Sequence, residues 1–182
     1  MSEFEITALI LSEHDVIRRE FVALDELADA GSPEDLRRAW ADLAARLEVH
    51  AVGEEELLYP RLARAAEDGV QESVDAVRDH NGIRSSARAV EEHELGSEAW
   101  WAAVRACREV NGDHMAEEER EFLPDFREAV DAERREELGM RWLEFHDRHE
   151  GAQGLSGEDA DPEEVAGIAS GGPTDTAGGA RA

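Results

Sequence analysis

The sequence predicts an all-α fold: an antiparallel up-down-up-down four-helix bundle, a short fifth C-terminal helix and a flexible tail. Three observations carry that expectation. Apolar residues recur at steps of three and four along four successive stretches, the spacing of one buried helix face. Short segments containing Gly, Ser, Asp or Pro part the stretches. Finally, a pattern of histidine and glutamate in the first half of the chain returns in the second.

Helix A is expected to open at a capping box, Ser2-x-x-Glu5, and to end before Gly31; its seam is Ile10, His14, Ile17, Phe21 and Leu24. Ser32-Pro33 supplies an N-cap and a first-position proline for helix B, with Trp40, Leu43, Leu47, His50, Glu54 and Leu58 on its seam. Asp68-Gly69 separates B from C, whose seam is Ala76, His80, Ile83, Ala87 and Val90. Gly96-Ser97 separates C from D, with Val104, Cys107, Asn111, His114, Glu118 and Phe122 in line. Connections this short favour antiparallel neighbours. Pro60 and Pro124 should kink or end helices B and D. Asn81-Gly82 disfavours helix just after His80 and reads as a tolerated local weakness; the alternative is that the missing side chain opens room beside the site for a small ligand. A fifth helix from Asp131 to about Glu150 carries Leu138, Trp142 and Phe145 on one stripe; His93, His146 and His149 are expected at the surface or in packing. From Gly151 on, eight glycines and no aromatics read as a flexible tail. The expected organisation is therefore 1–130 bundle, 131–150 accessory helix and 151–182 Gly-rich acidic tail.

At 182 residues and 41% hydrophobic content the chain can bury one real core. A net charge of −26 excludes nucleic acid and anionic membrane as partners. No apolar run has the length of a membrane helix and no secretory signal opens the chain, so a cytoplasmic, monomeric protein is expected. The one cysteine, Cys107, forms no internal disulfide and reads as a small core residue.

The repeated elements are built from metal ligands. His50 to Pro60 and His114 to Pro124 both read H-x-x-x-E-E-x-x-x-x-P, 64 residues apart (50 to 114). Each follows a second repeat, Glu13-His14-x-x-Ile17-Arg18 and Asp79-His80-x-x-Ile83-Arg84, 66 residues apart (14 to 80). Residues four apart on a helix share a face, so each His-x3-Glu can point both side chains into a core. Imidazole nitrogen with carboxylate oxygen suits iron, manganese or zinc, and a buried cation offsets carboxylates too costly to bury alone. His14, His50, Glu54, His80, His114 and Glu118 all fall in apolar seams. An ordinary helical interaction module with incidental histidines is the competing reading; the shared register argues against it. Arg18 and Arg84, one turn from His14 and His80, either stabilise a bound anion or pair with Glu55 and Glu119. Tyr59 lies off the His50 face on regular geometry, unless Pro60 distorts the helix.

On these motifs the chain resembles the hemerythrin-like, HHE cation-binding family over residues 1 to 130. The resemblance implies two iron ions bridged by Glu54, Glu118 and an oxo or hydroxo group, with His14, His50, His80 and His114 as terminal ligands. Two departures from the oxygen carriers stand out: Arg84 occupies the place of a fifth histidine, and Glu118 follows His114 by four residues where the carriers use five. They favour reaction with O2, H2O2 or NO over reversible oxygen carriage. Catalase-like peroxide decomposition is the most specific expectation, and a non-catalytic oxygen, iron or redox sensor is the alternative.

Overall fold

The apolar stripes form helices close to where their spacing places them. The computed structural model describes residues 4–168. Helix α1 spans Ile6–Ala30, α2 Pro33–Leu57, α3 Tyr59–Ala65, α4 Gly69–Glu91 and α5 Glu98–Glu117. A π-helical turn, Glu118–Phe122, joins α5 to α6, Leu123–Ala129; α7 spans Ala132–Arg148 and α8 Pro162–Val165. All regular structure among the described residues is helical.

Capping agrees with the sequence at two boundaries and differs at one. The Ser32 hydroxyl accepts from Asp35 N–H while the Asp35 carboxylate accepts from Ser32 N–H, and the Ser97 hydroxyl accepts from Trp100 N–H. At α1 the expected cap residue, Ser2, lies outside the described residues. Glu5 itself is the N-cap and makes no side-chain capping bond. Its carboxylate is buried and bound by Arg135, with Arg127 at 3.4 Å and the Thr7 hydroxyl at 2.7 Å, so it fastens α1 to α6 and α7.

The two motif prolines interrupt their helices in different ways. Pro60 falls in the first turn of α3, and the break lies at Leu58, whose φ of −97° and ψ of −65° stay in the right-handed region but distort the regular helix. Pro124 falls in the first turn of α6, and there the π turn widens the backbone without breaking the run.

The core forms two apolar clusters with a polar layer between them. One contains Ile6, Ile10, Leu57, Leu58, Val77, Phe122 and Phe126; the other contains Ile17, Phe21, Leu43, Leu47, Ile83, Val104 and Cys107. Along each of α1, α2, α4 and α5 the motif histidine lies where the chain passes between the clusters. Helix α7 packs on α1 and α2 and buries Leu138, Trp142 and Phe145. Gly139 permits that approach, since a Cβ there would stand 1.9 Å from the Phe4 carbonyl oxygen.

Helix α4 runs unbroken through Asn81-Gly82, so the local weakness is tolerated, and a Cβ at Gly82 would meet only Val110 of α5, at 3.9 Å. The stretch 151–168 is docked against the bundle, contrary to the expected flexible tail; 169–182 lie outside the described residues. Asn81 Nδ2 donates to the Ala160 carbonyl and Asn81 Oδ1 accepts from Ala160 N–H, both at 2.9 Å. Arg88 donates to the Gly157 carbonyl and pairs with Asp159. The segment is thus held by polar side chains of α4 that satisfy its backbone and by Leu155, Ala160 and Val165, which pack against the core. No helix among the described residues is long and apolar enough to cross a membrane.

Candidate metal centre

All six residues picked out by the sequence are buried and converge on the layer between the two clusters. His14, His50, Glu54 and Glu118 bring one donor atom each within 4.8 Å of one another, as do Glu54, His80 and His114. Glu54 belongs to both groups. Glu118 Oε2 also lies 3.2 Å from His14 Nε2 and 3.4 Å from His114 Nε2, so it too spans the halves. His80 Nε2 is 2.9 Å from His114 Nε2.

Each imidazole has a carboxylate at its other nitrogen. His14 Nδ1 is 2.9 Å from Glu119, His80 Nδ1 2.9 Å from Glu55, His50 Nδ1 3.5 Å from Glu13 and His114 Nδ1 3.6 Å from Asp79. The pattern obeys the internal repeat. Glu13 and Asp79 precede the histidines of α1 and α4, and Glu55 and Glu119 follow the motif glutamates. The two hydrogen-bonded partners, Glu119 and Glu55, orient the rings of His14 and His80 and leave Nε2 toward the layer, whereas His50 Nδ1 and His114 Nδ1 have a carboxylate nearby but no hydrogen bond. Arg84 clamps Glu55 and Arg18 holds Glu119, so the arginines act through carboxylates. On the other side His146 of α7 reaches Glu13 at 2.8 Å, and Trp142 packs edge-on against His50. His149 instead lies over Phe145, and His93 is exposed.

Tyr59 was not among the residues expected here. Its hydroxyl donates to Glu118 Oε1 at 2.8 Å and lies 3.3 Å from Glu54 Oε2 and 3.2 Å from His80 Nε2. A continuous helix would carry Tyr59 past the layer; the break at Leu58 turns it inward. The one sequence signal was the adjacent Pro60. Leu123, its counterpart (59 plus 64), is in the apolar core, so the phenol breaks the symmetry.

Electrostatics separate the two central carboxyls. Burial and the neighbouring Glu118 push Glu54 well above the ordinary carboxylate range. Burial also acts upward on Glu118, but His114, His14 and His50 outweigh it and hold that carboxyl low. Burial lowers His50 and takes His80 down to about 4, favouring neutral rings with free lone pairs. Burial acts downward on His114 as well, yet Glu118 and Asp79 together raise it.

The fit of a cation can be judged from unsatisfied atoms. His14 Nε2, His50 Nε2, Glu54 Oε1 and Glu118 Oε2 are buried without a hydrogen-bond partner. Buried polar atoms left unpaired are costly, and four on one layer, all nitrogen or carboxylate oxygen, match the donor chemistry of a transition-metal site.

A family model, the hemerythrin HHE cation binding domain, matches residues 5–126. The chain belongs to this family. The matched region contains every residue of the polar layer and all four helices that supply it. Comparisons with curated proteins and with solved structures give no match. Membership of the HHE family and the donor clusters together make this a metal-binding helical bundle.

Proposed function

We propose that the layer holds two iron ions joined by an oxo or hydroxo bridge, and that this centre reacts with O2, H2O2 or NO, with catalase-like decomposition of peroxide as its most specific activity. The observation that carries the proposal is the convergence of buried, unsatisfied nitrogen and oxygen donors on one layer. His14, His50, His80 and His114 would hold the ions through their imidazoles, and Glu54 and Glu118 through carboxylates that each reach both halves of the site. Bound iron would supply redox equivalents and Lewis-acid polarisation.

The chain's own residues do the rest. Glu119 and Glu55 hold His14 and His80 by Nδ1, and Glu13 and Asp79 stand within ion-pair reach of His50 and His114. Tyr59 offers a seventh donor and meanwhile keeps Glu118 in place. The apolar clusters above and below exclude water, strengthening every charge interaction between them. The chain's passage between the clusters, reversed in α2 and α5 relative to α1 and α4, supports an up-down-up-down antiparallel bundle. A cytoplasmic monomer with a small-molecule ligand completes the reading.

One observation favours a sensor. Asn81 directly follows His80 and holds Ala160, so a shift of His80 would be felt by the docked C-terminal segment. The test is direct: measure metals in the purified full chain, add hydrogen peroxide and follow oxygen. Two irons per chain with catalytic oxygen release support the enzyme. Iron with a spectral change and no turnover supports the sensor, and a folded chain that takes up no metal refutes both.

A further inference from the structure

The two halves of the site are flanked by equivalent seams that differ in openness. Between α2 and α4 a cavity of about 30 Å³ touches His80. Between α1 and α5 a groove of about 190 Å³ lies over the corresponding positions. By the repeat, Leu47, Glu48 and Ala51 of the first seam become Asn111, Gly112 and Met115 in the second, and Arg84 becomes Arg18.

Those exchanges account for the difference. At the α2–α4 mouth Arg84 is clamped between Glu48 and Glu55 and is 5% exposed. At the α1–α5 mouth Gly112 brings no carboxylate, and a Cβ there would meet nothing within 4 Å. Arg18 keeps only Glu119 and a longer contact to Asp15, and is 41% exposed. Deeper in, the order reverses. Ala51 leaves the space through which the small cavity reaches His80, whereas the repeat puts Met115 at the equivalent position, where it is buried at the foot of the α1–α5 groove. The buried amide of Asn111 contacts the Met115 sulfur at 3.6 Å.

We propose that small ligands reach the metal centre through the α1–α5 groove and that Met115 is its gate. The proposal rests on the metal centre argued above. An unbranched thioether can change rotamer without disturbing the backbone, which suits it to open and refill a narrow passage. Phe21 and Val22 give the groove apolar walls, and Arg18 and Arg108 stand among its lining residues on a chain of net charge −26. The passage therefore suits neutral or singly negative molecules of two to four atoms, and excludes bulky or cationic ones.

The experiment uses the iron-loaded full chain and azide as probe, followed by stopped-flow absorbance after metal content is measured. Gly112→Glu restores the missing carboxylate beside Arg18 and should slow azide association about fivefold; Met115→Ala should speed it about fivefold, the scale of one side-chain rearrangement. Met115→Leu keeps the volume and should bind no faster than wild type. Ala51→Leu fills the opposite seam and should leave the rate unchanged. Wild-type rates for Gly112→Glu and Met115→Ala at full metal content, or slowing by Ala51→Leu alone, would overturn the route while leaving the metal centre standing. A wild-type chain that retains no metal removes the centre itself and the route with it.

Discussion

The repeat places the same ion pair in two settings, so one substitution made twice measures what burial contributes. Arg84 donates to both Glu55 oxygens, at 2.9 and 3.0 Å, and through Nε to Glu48 at 2.9 Å. Arg84 and Glu55 are nearly inaccessible, at 5% and 7%. Arg18 donates once to Glu119, at 2.8 Å, with 41% and 31% exposed. Removing one partner of a buried pair strands the other charge, at a cost of about 3–5 kcal/mol, whereas an exposed pair contributes about 0–1 kcal/mol. Arg84→Ala should therefore lower the stability of the metal-free protein by about 3–5 kcal/mol, and Arg18→Ala by no more than about 1 kcal/mol. Because Glu55 also holds His80 Nδ1, Arg84→Ala should weaken metal retention about 10–100-fold. Adding Glu55→Gln to Arg84→Ala should recover part of the stability by removing the stranded charge. Urea unfolding of the metal-free proteins and chelator-driven metal release measure these effects. Equal losses from the two single variants, or no recovery in the double variant, would refute the assignment of Arg84 to a buried charge clamp.

Three other outcomes follow from particular contacts. Tyr59→Phe leaves Glu118 Oε1 without its donor and should destabilise the metal-free protein by about 1.5–3 kcal/mol; an unchanged urea midpoint would place the phenol elsewhere. Burial and Asp125 raise Glu72 to about 7 from its ordinary 4.5. Its proton is held more tightly in the folded state, so this contribution is fully present below about pH 4.5 and is lost as pH rises through about 7. Glu72→Gln should flatten that slope and raise stability at pH 8 by about 1 kcal/mol, a figure reduced for the group's partial exposure; parallel pH profiles for variant and wild type would contradict it. Asn81→Ala removes both bonds to Ala160, together about 2 kcal/mol, and should speed hydrogen exchange across 157–165. Unaltered protection there would mean the segment is held by other contacts.

The sites of correct expectation share a cause. Helix boundaries at Ser32-Pro33, Asp68-Gly69 and Gly96-Ser97 depend on local chemistry, and local chemistry is written in adjacent residues. The inward direction of His14, His50, Glu54, His80, His114 and Glu118 follows from helical periodicity, which places them on the same seams as Ile17, Leu47, Ile83 and Phe122. Glu13 and Asp79 were also recoverable, since the repeat sets each beside a motif histidine.

The misses required distances across the fold. Nothing adjacent to Gly151 says that Asn81 will supply hydrogen bonds to Ala160, because the partner is 79 residues away (81 to 160). Glu5 reads locally as part of a cap, yet arginines of α6 and α7 take its carboxylate. Pro60 and Pro124 look equivalent, but one is met by a break at Leu58 and the other by a π turn, and only the break delivers a tyrosine to the centre.

By itself the sequence determined the helices, their buried faces and the six inward-facing histidines and glutamates on them, because a period of 3.6 residues ties spacing to direction. Tertiary structure alone decided which carboxylate orients which imidazole, where Tyr59 points and which seam stays open. Those features depend on how helices meet, and side chains distant along the chain meet only once the chain is packed.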